Sequence, residues 1–206
     1  MNRNSALIWL PKIEALGLPT PKTIIVPYDH RLFAAGMEDG VDLREPMKKL
    51  GLEIISACET VGWPSFIRTD LGSAKHSGPS AYLAESPLSI KQVLYNLIED
   101  QEMKFWTEKE ASKVFLVRRF LTLDASFTAF HGLPIAREWR FFADGEKVQC
   151  YHPYWPESAL EGRVDDPLWK EKLSNHHSIP DCFDNLCDVA IAAASCIGGD
   201  WSVDFA

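Results

Sequence analysis

Apolar positions recur along this chain with two different periods, and the switches between them mark out the elements. Residues 5–16 read as a short helix interrupted near Pro11 and ended by Gly17. Leu18-Pro19-Thr20-Pro21 follows as an extended connector, and the β-branched run Thr23 to Val26 predicts a strand stopped by Pro27. Tyr28 to Glu45 is polar, with a turn expected at Asp39-Gly40. From Met47 to Val61 apolar residues fall at 47, 50, 54, 55, 58 and 61, a helical period, so one face of that helix should pack on the sheet that Phe66 and Ile67 enter.

The second half alternates in the same way. Ser89 and Gln92 suggest a capping box for a helix from Ile90 to about Glu99, whose stripe of Ile90, Val93, Leu94, Leu97 and Ile98 belongs to the core. Val114 to Leu121 predicts a strand apolar enough to be buried until Arg118 and Arg119 interrupt it. Arg137–Phe142 and Lys147–His152 flank Asp144-Gly145 as a hairpin, with Glu138, Arg140 and Phe142 on one face and Arg137, Trp139 and Phe141 on the other. Tyr154 to Pro180 reads as an irregular, aromatic-rich excursion and a lid, helical only near 166–173. Asp181 then caps a helix with apolar positions at 183, 186, 189, 190, 193 and 197, closed by Gly198-Gly199, and 201–206 is a final strand.

Composition narrows the function classes. With 206 residues, 46% of them hydrophobic, the chain can bury a sizeable core. The net charge of -8 argues against a nucleic-acid binder, which normally presents a basic stripe. Charge is uneven, however: between Lys113 and Arg140 five cations face only Asp124 and Glu138, which suits a small anionic ligand. Five cysteines without a C-x-x-C pair do not make a disulfide framework, and no apolar run is long enough for a signal peptide or membrane span, so a cytoplasmic location is the expectation. His176 and His177 lack Cys or acidic partners at metal-ligand spacing. No G-x-S-x-G occurs, and no Cys has an evident His partner, which leaves a nucleophilic hydrolase without support.

The candidate chemistry centres on residues 63–80. A short strand at Phe66-Ile67 turns into a run that mixes Gly72, Gly78 and several serines with Arg68, Asp70, Lys75 and His76. Glycine and serine let backbone N–H groups approach an anion, and Arg68 and Lys75 supply positive charge. Neither G-x-x-x-x-G-K-[ST] nor G-x-G-x-x-G is present, so an ordinary polar loop stays open as the alternative. Arg118 and Arg119, at the end of a buried strand, either pair with Asp124 or Glu138 or face a ligand. Asp204, inside an apolar strand, calls for a metal, an arginine or an N–H partner.

Taken in order, these segments resemble the ATP-grasp superfamily, in particular its divergent branch of phage and bacterial proteins and the eukaryotic cell-division-cycle assembly factor for a translation initiation factor. The resemblance runs over most of the chain. Residues 11–23 look like the small α/β segment that precedes many ATP-grasp cores. Phe66-Ile67-Arg68-Thr69-Asp70-Leu71-Gly72-Ser73-Ala74-Lys75-His76 resembles the branch's strand and phosphate loop, and Val117-Arg118-Arg119-Phe120-Leu121 its inter-lobe hinge, where arginine replaces the usual acid. Glu138-Trp139-Arg140-Phe141-Phe142 is similar to E-F-R-x-F, and Val203-Asp204-Phe205 to V-D-F.

The resemblance implies an α/β (α+β) ATP-grasp-like fold with antiparallel or mixed sheets and flanking helices. Its segments would be an N-terminal α/β piece at 1–60, an N-lobe with the phosphate loop at 61–113 and a C-lobe at 114–206. It implies ATP and Mg²⁺ as cofactors, with Arg68, Lys75 and Arg140 as charge-stabilising catalytic residues. Ser73, Lys75, His76, Val117, Arg118, Arg119 and Glu138 would contact the nucleotide, and Asp204 would ligate the metal. The implied reaction is phosphorylation of a carboxylate to an acyl phosphate, which an amine or thiol of an unidentified acceptor substrate then attacks. The family's second metal acid and an asparagine lie on a strand after V-D-F, and the sequence stops at Ala206, so either that C-terminal strand is missing from this sequence or the protein lacks a full Mg²⁺ site. That, with Tyr151, Tyr154, Trp155 and Trp169 as interface aromatics, raises the alternative of an ATP-binding, non-catalytic assembly factor or inhibitor acting on a protein partner.

Overall fold

The computed structural model describes residues 2–72 and 78–206, with the side chains of Met37, Glu38 and Glu108 left aside. The chain forms two compact units, one made of residues up to Ala6 and Pro21–Leu121, the other of Leu7–Thr20 and Thr122–Ala206.

The first unit is built on a four-stranded antiparallel sheet. Its strands β1 (Thr23–Pro27), β2 (Ser65–Thr69), β3 (Leu83–Ala84) and β4 (Val114–Arg119) run in the order β1-β4-β2-β3. Helices α2 (His30–Glu38), α3 (Arg44–Val61) and α4 (Ile90–Glu108) contribute the apolar faces that cover it. The helical period read at 47–61 is realised: Leu50, Ile54, Ala57, Cys58 and Val61 are buried on one side of α3, against Ile67, Phe115 and Val117 of the sheet.

Two departures from the sequence pattern have local causes. The stretch 28–45 holds a helix, α2, because Asp29 caps it by accepting from Arg31 N (3.0 Å) and Leu32 N (3.4 Å), and Phe33 is buried beneath. Helix α4 runs nine residues past Glu99 because its inner face continues in polar residues. Gln101 and Glu102 are buried there, with Glu102 2.9 Å from His30, and Lys104 bridges Asp100 one turn back at 2.6 Å. The capping box at Ser89 and Gln92 does not form. Ser89 Oγ donates instead to Ser86 O at 2.8 Å, and Gln92 donates to Asn96.

In the second unit, α1 (Ala6–Ala15) runs through Pro11 without interruption. A hairpin forms from β5 (Ala125–Ala129) and β6 (Leu133–Ala136), a pairing the sequence pattern did not reveal. Its turn is held by Phe130 and His131 in left-handed backbone (φ 49° and 62°), so the usual Asn-Gly or Asp-Gly signal is absent. The hairpin expected around Asp144-Gly145 is present as β7 (Trp139–Ala143) and β8 (Val148–Pro153), and β9 (Trp201–Phe205) pairs on the other side of β7. Trp139, Phe141 and Ala143 are buried against α7 (Phe183–Ile197), through Ala190 and Ala194. Lys12 Nζ donates to Ile197 O at 3.0 Å, a cation placed on the C-terminal carbonyls of α7.

The stretch 154–180 is more ordered than an irregular excursion. It contains α5 (Glu157–Leu160) and α6 (Trp169–His176), and it buries Trp155, Leu160 and Leu173. Among the described residues no helix is long and apolar enough to cross a membrane.

Candidate functional site

Each unit presents one cluster of the residues singled out from the sequence. In the first unit, β2 carries Arg68 and β4 carries Arg118. Register pairs Phe66 with Arg118 and Arg68 with Leu116, so the two arginines are diagonal neighbours on one face, opposite the face that buries Ile67 and Val117. Arg68 Nε donates to Thr69 O at 3.0 Å, and Arg118 Nε donates to Thr23 Oγ1 at 3.3 Å. Burial and, to a lesser degree, the Arg118 charge lower the Arg68 pKa, Asp70 partly offsets both, and the net value is about 10. At neutral pH both guanidinia remain charged, so this face holds two cations close together.

Asp70 is buried just past β2. It accepts from Ser5 Oγ at 2.5 Å, from Ser112 Oγ and from Lys113 N at 3.0 Å. Its own carbonyl accepts from Ala6 N at 2.9 Å. Asp70 thereby fixes the end of β2, where the polar run begins. Ser73, Lys75 and His76, the phosphate-loop residues of the sequence reading, lie outside the described residues.

Val117 and Arg119, the hinge residues of the sequence reading, lie on the central strand β4. Val117 is fully buried in the central strand, with Ile24 and Ile67 as its ladder partners on either side, and Arg119 N donates to Lys22 O at 2.9 Å. Ladder pairing uses up this backbone, and the main chain leaves the sheet only at Phe120 and Leu121.

The second cluster lies on the β8-β7-β9 sheet. Arg140 of β7 is directly opposite Asp204 of β9, and the side chains form a bidentate ion pair, Nε to Oδ1 at 2.7 Å and Nη2 to Oδ2 at 2.8 Å. The guanidinium also lies 4.5 Å over the Tyr154 ring, and hydrogen bonding from Asp204 raises the Arg140 pKa above its ordinary value. On the same face, one ladder step away, Phe142 and Ser202 line a pocket of about 290 Å³ together with Gln149, Asp200 and Trp201. Glu138 precedes β7, and its Oε1 accepts from Trp155 Nε1 at 2.6 Å. The Trp155 side chain is therefore packing, buried to 4% exposure, rather than an exposed interface aromatic. Tyr154, read from sequence only as an interface residue, belongs to the Arg140 cluster; its place directly after β8 was the available signal.

A larger pocket, about 470 Å³, opens in the first unit between the end of β1, α2 and α3. Asp29, Glu45 and Glu53 on its wall outnumber Lys49, an arrangement that repels phosphate. Among the described residues no group of three or more His, Cys, Asp or Glu side chains could cage a metal by itself. Magnesium commonly takes one or two carboxylates, with phosphate oxygens and water completing the shell, so Asp204 fits that role once its oxygens are released by Arg140.

No protein-family model matches the sequence, and no curated protein matches it. The fold is similar to that of C-terminally truncated Cdc123 from Schizosaccharomyces pombe, with a TM-score of 0.62 and 13% identity over 98% of this chain and 77% of that one. It is also similar to a second structure, Cdc123 from the same yeast, with a TM-score of 0.57 and 15% identity over 98% and 77% of the two chains. A RimK domain ATP-grasp protein from Sphaerobacter thermophilus aligns with a TM-score of 0.47 and 14% identity, over 98% of this chain and 53% of that one. The likeness is one of fold: this chain shares the mixed α+β architecture of the two Cdc123 structures.

Proposed function

We propose that this chain binds ATP, with Arg140 taking a phosphate oxygen and Asp204 holding the accompanying magnesium ion. The observation that supports this reading best is the juxtaposition of Arg140 and Asp204 on one open sheet face beside a pocket. A guanidinium for the anion and a carboxylate for the cation are what a metal–polyphosphate complex requires. Bound there, magnesium would neutralise phosphate charge. The chain's own residues orient and stabilise: Tyr154 supports the Arg140 guanidinium, while Arg68 and Arg118 form a second concentration of positive charge in the other unit. The motif resemblance also implies nucleotide contacts for Ser73, Lys75, His76, Val117, Arg118 and Arg119 in the first unit and for Glu138 in the second.

The test is a thermal-shift series with ATP plus MgCl₂, ADP and GTP. A ligand at a hundred times its Kd adds about 2.7 kcal/mol to the folded state. A shift with ATP that is lost in Arg140→Ala supports the reading, and no shift with any of the three nucleotides rejects it.

Two forms of the reading follow. In the enzymatic form, ATP phosphorylates a carboxylate and an amine or thiol attacks the acyl phosphate; hydroxylamine would trap that intermediate as a hydroxamate, and Lys75→Ala would abolish its formation. In the second form the chain is an ATP-binding assembly factor or inhibitor for a protein partner. It is favoured by exposed apolar side chains on α4, Tyr95, Met103 and Trp106, exposed by 52%, 67% and 61%. ATP-dependent pull-down without hydroxamate formation would select this form.

A further inference from the structure

Arg140 and Asp204 engage each other on the β7-β9 face through the Nε–Nη2 edge of the guanidinium and both carboxylate oxygens. Both carboxylate oxygens accept from the guanidinium, at 2.7 and 2.8 Å, and the guanidinium is flanked by the Tyr154 ring. The pair is about one-third exposed on each side, so solvent ligands reach it. The other ionisable groups nearby are His152, across the β7-β8 ladder from Arg140, and Asp200 on the pocket wall.

A bare polyphosphate arriving here meets a guanidinium whose Nε–Nη2 edge is taken and a carboxylate that repels it. A bare divalent cation meets a carboxylate already neutralised. A complex of the two meets neither obstacle, because the anion replaces Asp204 at Arg140 in the same event in which the cation replaces Arg140 at Asp204.

We propose that the Arg140–Asp204 ion pair is a partner-exchange latch that excludes the uncomplexed anion and the free metal and admits only their complex. The inference rests on the reading of this face as a nucleotide site. It adds that Asp204 opposes metal-free binding, so that removing an acidic residue from the site tightens one ligand form.

Isothermal titration of the full chain tests this with ATP in EDTA, with MgCl₂ alone and with both. For the wild type, ATP with magnesium should bind roughly tenfold more tightly than ATP in EDTA, a coupling of ordinary size. In Asp204→Asn, affinity for ATP in EDTA should rise by about two- to fivefold, the worth of a partly exposed ion pair, and magnesium should no longer improve it. Unchanged or weaker EDTA-ATP binding by Asp204→Asn, with the wild type binding normally, overturns the latch and leaves the nucleotide site standing. Absence of ATP binding by either protein under every condition removes the nucleotide site and the latch together. Arg140→Gln provides an independent arm: Mn²⁺ alone, followed by electron paramagnetic resonance, should bind the variant more tightly than the wild type, and equal binding rejects the exchange.

Discussion

Arg68 and Arg118 face the same side of the sheet from adjacent strands, and each makes the other's charge harder to hold. In a protein of net charge -8, like charges placed together and partly withdrawn from water are a local cost, and an anion bound between them would relieve it.

Arg68→Met should therefore stabilise the unliganded fold. The downward displacement of the Arg68 pKa to about 10 corresponds to roughly 1–3 kcal/mol of relief, read from urea denaturation at pH 7. A base with a depressed folded pKa carries its full penalty below about pH 10 and sheds it as pH rises above that value, where the unfolded chain holds more protons than the folded one. The advantage of the variant should thus shrink above pH 10. Inorganic triphosphate should stabilise the wild type more than the variant; equal stabilisation of both argues against an anion site on this face.

Asp70 should behave in the opposite sense. Its carboxylate accepts from Ser5, Ser112 and the Lys113 amide, and Asn in its place presents an N–H₂ group to donors. Asp70→Asn should lose about 2–3 kcal/mol in urea denaturation. A loss under half a kcal/mol would mean that these contacts contribute nothing to folding.

Two glycines should respond differently to alanine. At Gly145 the backbone has φ +91°, and an added Cβ would lie 2.8 Å from Ser195 Cα, so Gly145→Ala should cost about 1–3 kcal/mol, with faster amide exchange in the β7-β8 hairpin. At Gly51 nothing lies within 4 Å of an added Cβ on α3, and Gly51→Ala should stabilise by about 0.5–1 kcal/mol. Thermal denaturation of the two variants side by side checks both signs.

How far these features could be read from sequence depended on whether the burial was apolar. Helices α3 and α7 and strands β1, β2, β4 and β7 to β9 announced themselves because their inner faces are hydrocarbon. The second half of α4 did not, since Glu102 and Gln101 occupy its inner face and Glu102 meets His30 there. The β5-β6 hairpin was hidden by a turn made with Phe130 and His131 rather than glycine at those positions. At the site, Arg140 and Asp204 were each legible as charges out of place in apolar strands. Their contact was not, because β7-β9 register joins residues 64 apart and no local pattern encodes that pairing.

The route of the backbone sets a limit on dissection. The polypeptide passes from one compact unit to the other after Ala6, again after Thr20 and again after Leu121. A single cut therefore yields neither half intact: a fragment ending at Leu121 keeps α1 but loses the Ile197 carbonyl that Lys12 grips, and a fragment starting at Thr122 loses α1 altogether. The two halves are laced by sequence, and expressing either one alone would require a gene that joins its two separated stretches rather than a simple truncation.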